Sequence, residues 1–126
     1  MRPVLTAEDV LALQHLVRRI PVTKALVGAA VTLARMTRPT DPEAPPFIKE
    51  FVSWGAGPRA SQYLILGAKA QAALDGRPMP DYDDLTRVAP LVLTHRLVIN
   101  FAAEAAGKSA LDIVQQLLKE RRWQPK

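Results

Sequence analysis

The 126 residues carry 17 Lys and Arg against 12 Asp and Glu, a formal net charge of +5, with 48% hydrophobic residues and no cysteine. That size and composition describe one globular domain over residues 1–126, and they exclude disulfides, thiol catalysis and thiolate metal sites. No apolar run reaches the roughly 18 residues of a membrane span, and the N-terminus lacks the regions of a signal peptide, so no membrane role and a cytoplasmic location are expected.

Thr6 opens the first helix as an N-cap whose side chain can bond the Asp9 amide, with Glu8 and Asp9 favourable in the first turn. Val10, Leu13, Val17 and Ile20 recur at helical spacing and predict a buried face, and Pro21 ends the helix. Thr23 caps a second helix, to about Met36, with Leu26, Val27, Ala30, Val31 and Ala34 as its stripe and Lys24, Thr32 and Arg35 on the wet side. The prolines between Thr37 and Pro46 require a long loop. Residues 47–54, FIKEFVSW, fit a short helix or an extended piece, with Trp54 expected to anchor the glycine turn after it.

Gly55 to Asp75 is the stretch around which the rest is organised. Gly57 suits an N-cap and Pro58 the first helical position, which places Arg59 in the first turn. An arginine there opposes the helix dipole, and together with free amides it is suited to holding an anion such as phosphate. The helix behind it is apolar almost all round, with only Gln62 and Lys69 marking a wet strip, and predicts a mostly buried central helix. Gly67 would let a neighbouring helix approach closely, and Gly76, with Pro78 and Pro80 beyond it, ends the element.

Asp81 caps a further helix with Asp84 three residues on, carrying Leu85, Val88, Ala89, Val92 and Leu93, in which Pro90 should introduce a kink or a break. The run from Leu91 to Asn100 is apolar enough to be buried, and Gly107 terminates the alanine-rich segment beyond Phe101. Ser109 opens a last helix with Asp112 at its third position and Leu111, Val114, Leu117 and Leu118 facing inward. The expected fold is all-α, a compact antiparallel bundle of five or six helices with little or no sheet.

Two phosphate-loop look-alikes fail on context. Ala102–Ser109 ends in GKS, but Ala102 replaces the first glycine of a P-loop and only the 17 residues from Ala110 to Lys126 remain. Gly55, Gly57 and Ala60 spell G-x-G-x-x-A, but the proline-rich segment after Gly76 supplies no strand for a dinucleotide fold. His15 and His95 lie far apart without carboxylates at ligand spacing: His15 reads as exposed, His95 as structural. No nucleophile, base and orienting group assemble, so the chain alone does not read as an enzyme and no metal site is expected. The basic residues are scattered and the aromatics few, which disfavours nucleic acid.

Thr6–Val22, Leu33–Pro39, Phe51–Arg77 and Val88–Ala105 resemble the C-terminal helical lid of MoxR-type AAA+ ATPases. The most specific points are the G-x-x-P-R-A turn, Gly55–Ala60, and the His95–Arg96 pair. Gly57 departs from the serine common there. The resemblance implies a lid that lacks the P-loop core, with Arg59 as the sensor 2 arginine and Gly57 and Pro58 beside it on the phosphate side of ATP. It further implies ATP and Mg2+ in a chaperone-like parent, partners in its own core and in the neighbouring subunits of a ring, hexameric in the parent, and a client protein. His95 and Arg96 are assigned to packing or inter-domain contacts. The alternative is a free-standing basic helical adaptor for nucleic acid or an acidic protein.

Overall fold

The computed structural model describes residues 1–125. Among the described residues, seven α-helices and one two-stranded ribbon occur in the order α1 (Ala7–Arg19), α2 (Lys24–Met36), α3 (Pro46–Phe51), β1 (Val52–Trp54), α4 (Pro58–Leu74), α5 (Tyr82–Leu93), a 3-10 turn (Thr94–Arg96), β2 (Val98–Ile99), α6 (Phe101–Ala105) and α7 (Ala110–Lys119). The all-α expectation stands, with the two short helices α3 and α6 added to the longer five.

The caps form as the sequence requires. Thr6, Asp81 and Ser109 each bond the amide three residues on and receive the reciprocal bond from Asp9, Asp84 and Asp112. Thr23 accepts from the Leu26 amide. Gly76 and Gly107 both take φ +69°, the left-handed conformation that ends a helix. A Cβ on Gly67 would lie 3.3 Å from the Val88 side chain, so the bare backbone of α4 does admit α5 at close range.

The core lies between α2, α4, α5 and α7. Leu26, Leu33 and Met36 of α2 meet Leu64 and Ala68 of α4, Leu85 and Leu93 of α5, and Ile113, Val114 and Leu117 of α7. Trp123 closes it beyond the last helix, its ring edge-on to Tyr82 at 6.4 Å. The buried stripes of α2 and α7 are rotated from the expected ones, since Ala29, Leu33 and Ile113 are inside while Val27, Val31 and Leu111 are exposed.

Several expectations are corrected. Helix α1 has no buried residue, and Val10 and Leu13 of its supposed inner face are exposed. Amphipathic spacing tells which side of a helix is apolar, but not whether the chain supplies something to cover it. Helix α4 buries one row, Ala60, Leu64, Ala68 and Ala72, rather than most of its circumference, because its partners within the chain cover one side and leave Tyr63 and Leu74 outside. Pro90 does not split α5, which continues to Leu93 before tightening into the 3-10 turn. That turn carries Leu93 and Leu97 inward and throws His95 out, so the apolar run from Leu91 to Asn100 is only partly buried.

The segment 47–54 is helix and then strand. Strands β1 and β2 pair antiparallel, Val52 with Ile99 and Trp54 with Val98, with an irregularity on β1 between those pairs. Trp54 is no anchor: it is 74% exposed.

Candidate functional site at the mouth of helix α4

Gly57 is the N-cap of α4 in extended conformation, Pro58 takes the first helical position, and Arg59 sits in a first turn that holds no acidic residue. Gly57 has no side chain with which to cap the first turn; Pro58 has no amide and the Ala60 amide donates to the Gly57 carbonyl at 3.0 Å, which leaves the Arg59 amide as the first-turn donor for an outside acceptor. Gly57, Pro58 and Arg59 are all exposed. Among the described residues, Arg59 enters no salt bridge.

The loop before the helix is fixed from behind by the end of α2. Buried Thr37 donates its hydroxyl to the Ala34 carbonyl at 2.6 Å and accepts from the Ala56 amide at 2.8 Å. Arg38 Nε donates to the Ala56 carbonyl at 2.8 Å. Both polar groups of Ala56 are therefore held by consecutive residues of the α2 terminus. Gly55 passes so close that a Cβ would collide with the Thr37 carbonyl and come within 2.7 Å of Arg38 Cα. In the proline-rich stretch, Arg35 Nε donates to Asp41 at 2.9 Å across the turn, which gives that loop a definite path.

Two concavities meet at Arg59. One runs between α2 and α4 and is lined by Val27, Val31, Tyr63, Leu66, Lys69 and Arg18. The other is formed by Gly57–Ala60 together with His95 and Arg96. The His95–Arg96 pair, thirty-six residues from Arg59 when counted from His95, is thus brought to the same place. Arg96 lies over Tyr63, its guanidinium carbon 4.9 Å from the ring centroid. His95 is exposed and not the structural histidine expected, while His15 is exposed as expected. The basic residues are scattered in sequence, yet four of them, Arg18, Arg59, Lys69 and Arg96, reach these two adjoining hollows.

Arg59, Gly57 and Pro58 lie together at the helix mouth as the sequence predicts, while Thr37 and Arg38, which support the loop behind them, were not among the residues singled out. Their only signal was that Leu33–Pro39 is among the segments carrying the family resemblance. Among the described residues no three His, Cys, Asp or Glu side chains gather to hold a metal.

At its far end α4 is closed by charge. Arg77 bonds Asp84 through both terminal nitrogens, with one contact at 2.9 Å, and also reaches Asp75 at 3.0 Å. The Asp84 side chain is only 1% exposed. Burial pushes the Asp84 carboxyl up, but the hydrogen bonds from Arg77 and the Asp81 amide outweigh it and hold the group below its ordinary range.

Residues 47–117, more than half of the chain, match the AAA lid domain family. The chain is 32% identical over 118 residues to the chaperone MoxR1 of Mycobacterium tuberculosis, covering 94% of this chain and 31% of that protein. It is 29% identical to the uncharacterised protein YeaC of Bacillus subtilis, again over 94% of this chain and 34% of the relative. The crystal structure of a candidate ATPase of Cytophaga hutchinsonii superposes with a TM-score of 0.82 at 28% identity, over 89% of this chain and 34% of that one. The chain therefore spans about a third of the length of these relatives.

Proposed function

Since this chain belongs to the AAA lid domain family, in its MoxR-type form, we propose that it covers ATP bound by a P-loop core and supplies Arg59 as the sensor 2 arginine. The observation that carries this reading is an exposed arginine without an acidic partner among the described residues, held at the N-terminus of a 17-residue helix by a braced loop. An arginine so placed opposes the helix dipole and gains its partner only when an anion arrives.

In this reading Gly57 and Pro58 shape the approach of the phosphates and Arg59 contacts the γ-phosphate, where its charge stabilises phosphoryl transfer. Thr37 and Arg38 act one layer back, through Ala56. The Mg2+ that accompanies the nucleotide would be held by the core. The exposed apolar faces of α1 and of the α2–α4 groove are surfaces for the rest of the parent to cover. Loss of the γ-phosphate would release Arg59, so that the angle between lid and core reports nucleotide state. The parent would be a chaperone-like ATPase of the cytoplasm, acting as a ring, hexameric by family resemblance, on a client protein.

The test joins this chain to its P-loop core and measures ATP turnover and nucleotide-dependent lid closure by distance-sensitive fluorescence. Arg59→Ala should abolish the closure signal and reduce turnover with the lid still folded, while the chain alone should show no ATPase activity. Wild-type turnover and closure in the variant would refute the role.

A further inference from the structure

Arg59 is not the only cation in its hollow, and the second, Arg96, arrives by a route that the paired strands fix. Strand β1 ends at Trp54 and leads through the Gly55–Gly57 loop into Arg59, while Arg96 stands two residues before β2. Pairing of Val52 with Ile99 and Trp54 with Val98 therefore ties the two cationic segments together. A further strap, the bond from the Asn100 side chain to the Glu50 carbonyl at 2.7 Å, closes the ribbon at its other end.

Within the hollow Arg96 is positioned but not neutralised. Tyr63 stacks against its guanidinium, yet among the described residues its buried Nε has no hydrogen-bond partner, and neither does the buried hydroxyl of Thr94. No salt bridge among the described residues involves Arg59, His95 or Arg96. Cations gathered in one concavity repel each other, and an anion that spans them relieves that repulsion. To such a pair, Arg59 on α4 and Arg96 on the 3-10 turn, a chain of phosphates offers more charge and more acceptor oxygens than a single phosphate does.

We infer that the Thr94–Arg96 turn is a second cationic arm of this site, and that Arg96, with His95 beside it, grips the same polyphosphate that Arg59 contacts. This rests on the Arg59 reading and adds a second binding residue to it. The tyrosine beneath Arg96 holds the guanidinium in place, so less side-chain freedom is lost when the anion binds.

The experiment is an NMR titration of the 126-residue chain with sodium tripolyphosphate and, separately, with orthophosphate, for wild type, Arg59→Gln, Arg96→Gln and, as a control outside the hollow, Arg87→Gln. Amide spectra verify the fold of each variant. Tripolyphosphate affinity should fall about fivefold in both Arg59→Gln and Arg96→Gln, with orthophosphate affinity changing by less than about twofold in Arg96→Gln and Arg87→Gln matching wild type. Arg96→Lys, which keeps the charge, should recover part of the loss. A purely structural role for Arg96 would weaken both ligands alike, and that result overturns the inference, as does wild-type tripolyphosphate binding in Arg96→Gln or the absence of saturable binding in wild type. If Arg59→Gln alone weakens binding, the second arm fails and the Arg59 reading stands. If Arg96→Gln alone does so, the turn binds the anion without Arg59, and both the Arg59 reading and the shared grip are overturned.

Discussion

The two ends of helix α4 are finished in opposite ways. At the C-terminal end Arg77 is surrounded by Asp75, Asp81 and Asp84, and the most buried of these carboxylates also serves as the third residue of the α5 capping box. At the N-terminal end Arg59 and Arg96 stand in one hollow without an acidic partner among the described residues. Arginine is used at both ends, but in one the chain supplies the counter-charge and in the other it does not. The first arrangement stabilises the fold. The second leaves its charge without a counter-charge among the described residues, and in the proposed reading an anion supplies it.

That contrast can be broken most severely at Asp84. Asp84→Ala removes a buried carboxylate that accepts from Arg77 and from the Asp81 amide, and should lower unfolding stability by about 2–3 kcal/mol in urea denaturation. The pH dependence sharpens the same point. The Asp84 carboxyl lies below its ordinary 3.8 in the folded chain, so its contribution is complete above that value and is lost as pH falls through the lower, folded one. The wild type should therefore lose stability on acidification below about pH 4, and Asp84→Asn should flatten that limb. An acid limb unchanged in Asp84→Asn would assign the loss to other carboxylates.

The next effect is at the loop that leads to the site. Gly55→Ala puts a methyl group against the backbone of Thr37 and Arg38, which cannot move aside as a flexible side chain would. A loss of about 2 kcal/mol in chemical denaturation is expected, with the Ala56 amide losing its protection from hydrogen exchange. The smallest effect is two residues on. A Cβ on Gly57 meets nothing within 4 Å, so Gly57→Ser supplies a proper N-cap and should raise stability by a few tenths of a kcal/mol in thermal unfolding. A fall in stability there would mean that the loop needs glycine for a reason other than space.

What the sequence made legible was mostly local chemistry. Thr6, Thr23, Asp81 and Ser109 were recognisable as caps because a cap is satisfied within three residues, and Gly76 and Gly107 because a left-handed stop has few alternatives. Arg59 could be singled out because it violates a local rule. What was not legible depends on partners distant in the chain. The apolar face of α1 promised burial and found none, and α4 appeared buried all round because its alanines permit contact on every side without requiring it. The ribbon was invisible for the same reason, since strands of three and two residues have no periodicity to read. Without the ribbon the meeting of His95 and Arg96 with Arg59 could not be foreseen, and the pair was assigned to packing or inter-domain contacts. Thr37 and Arg38 were hidden too, since nothing about a threonine and an arginine after a helix announces that they hold a loop nineteen and eighteen residues away.

The most direct test sets the arginines at the two ends of α4, Arg59 in its first turn and Arg77 just beyond its last, against each other in the parent ATPase, by measuring ATP turnover and the thermal unfolding midpoint of the lid for Arg59→Ala and Arg77→Ala. The account predicts that Arg59→Ala keeps the midpoint and loses turnover, whereas Arg77→Ala lowers the midpoint and, assayed well below it, keeps turnover. Arg59→Ala turning over ATP like wild type would contradict the central claim.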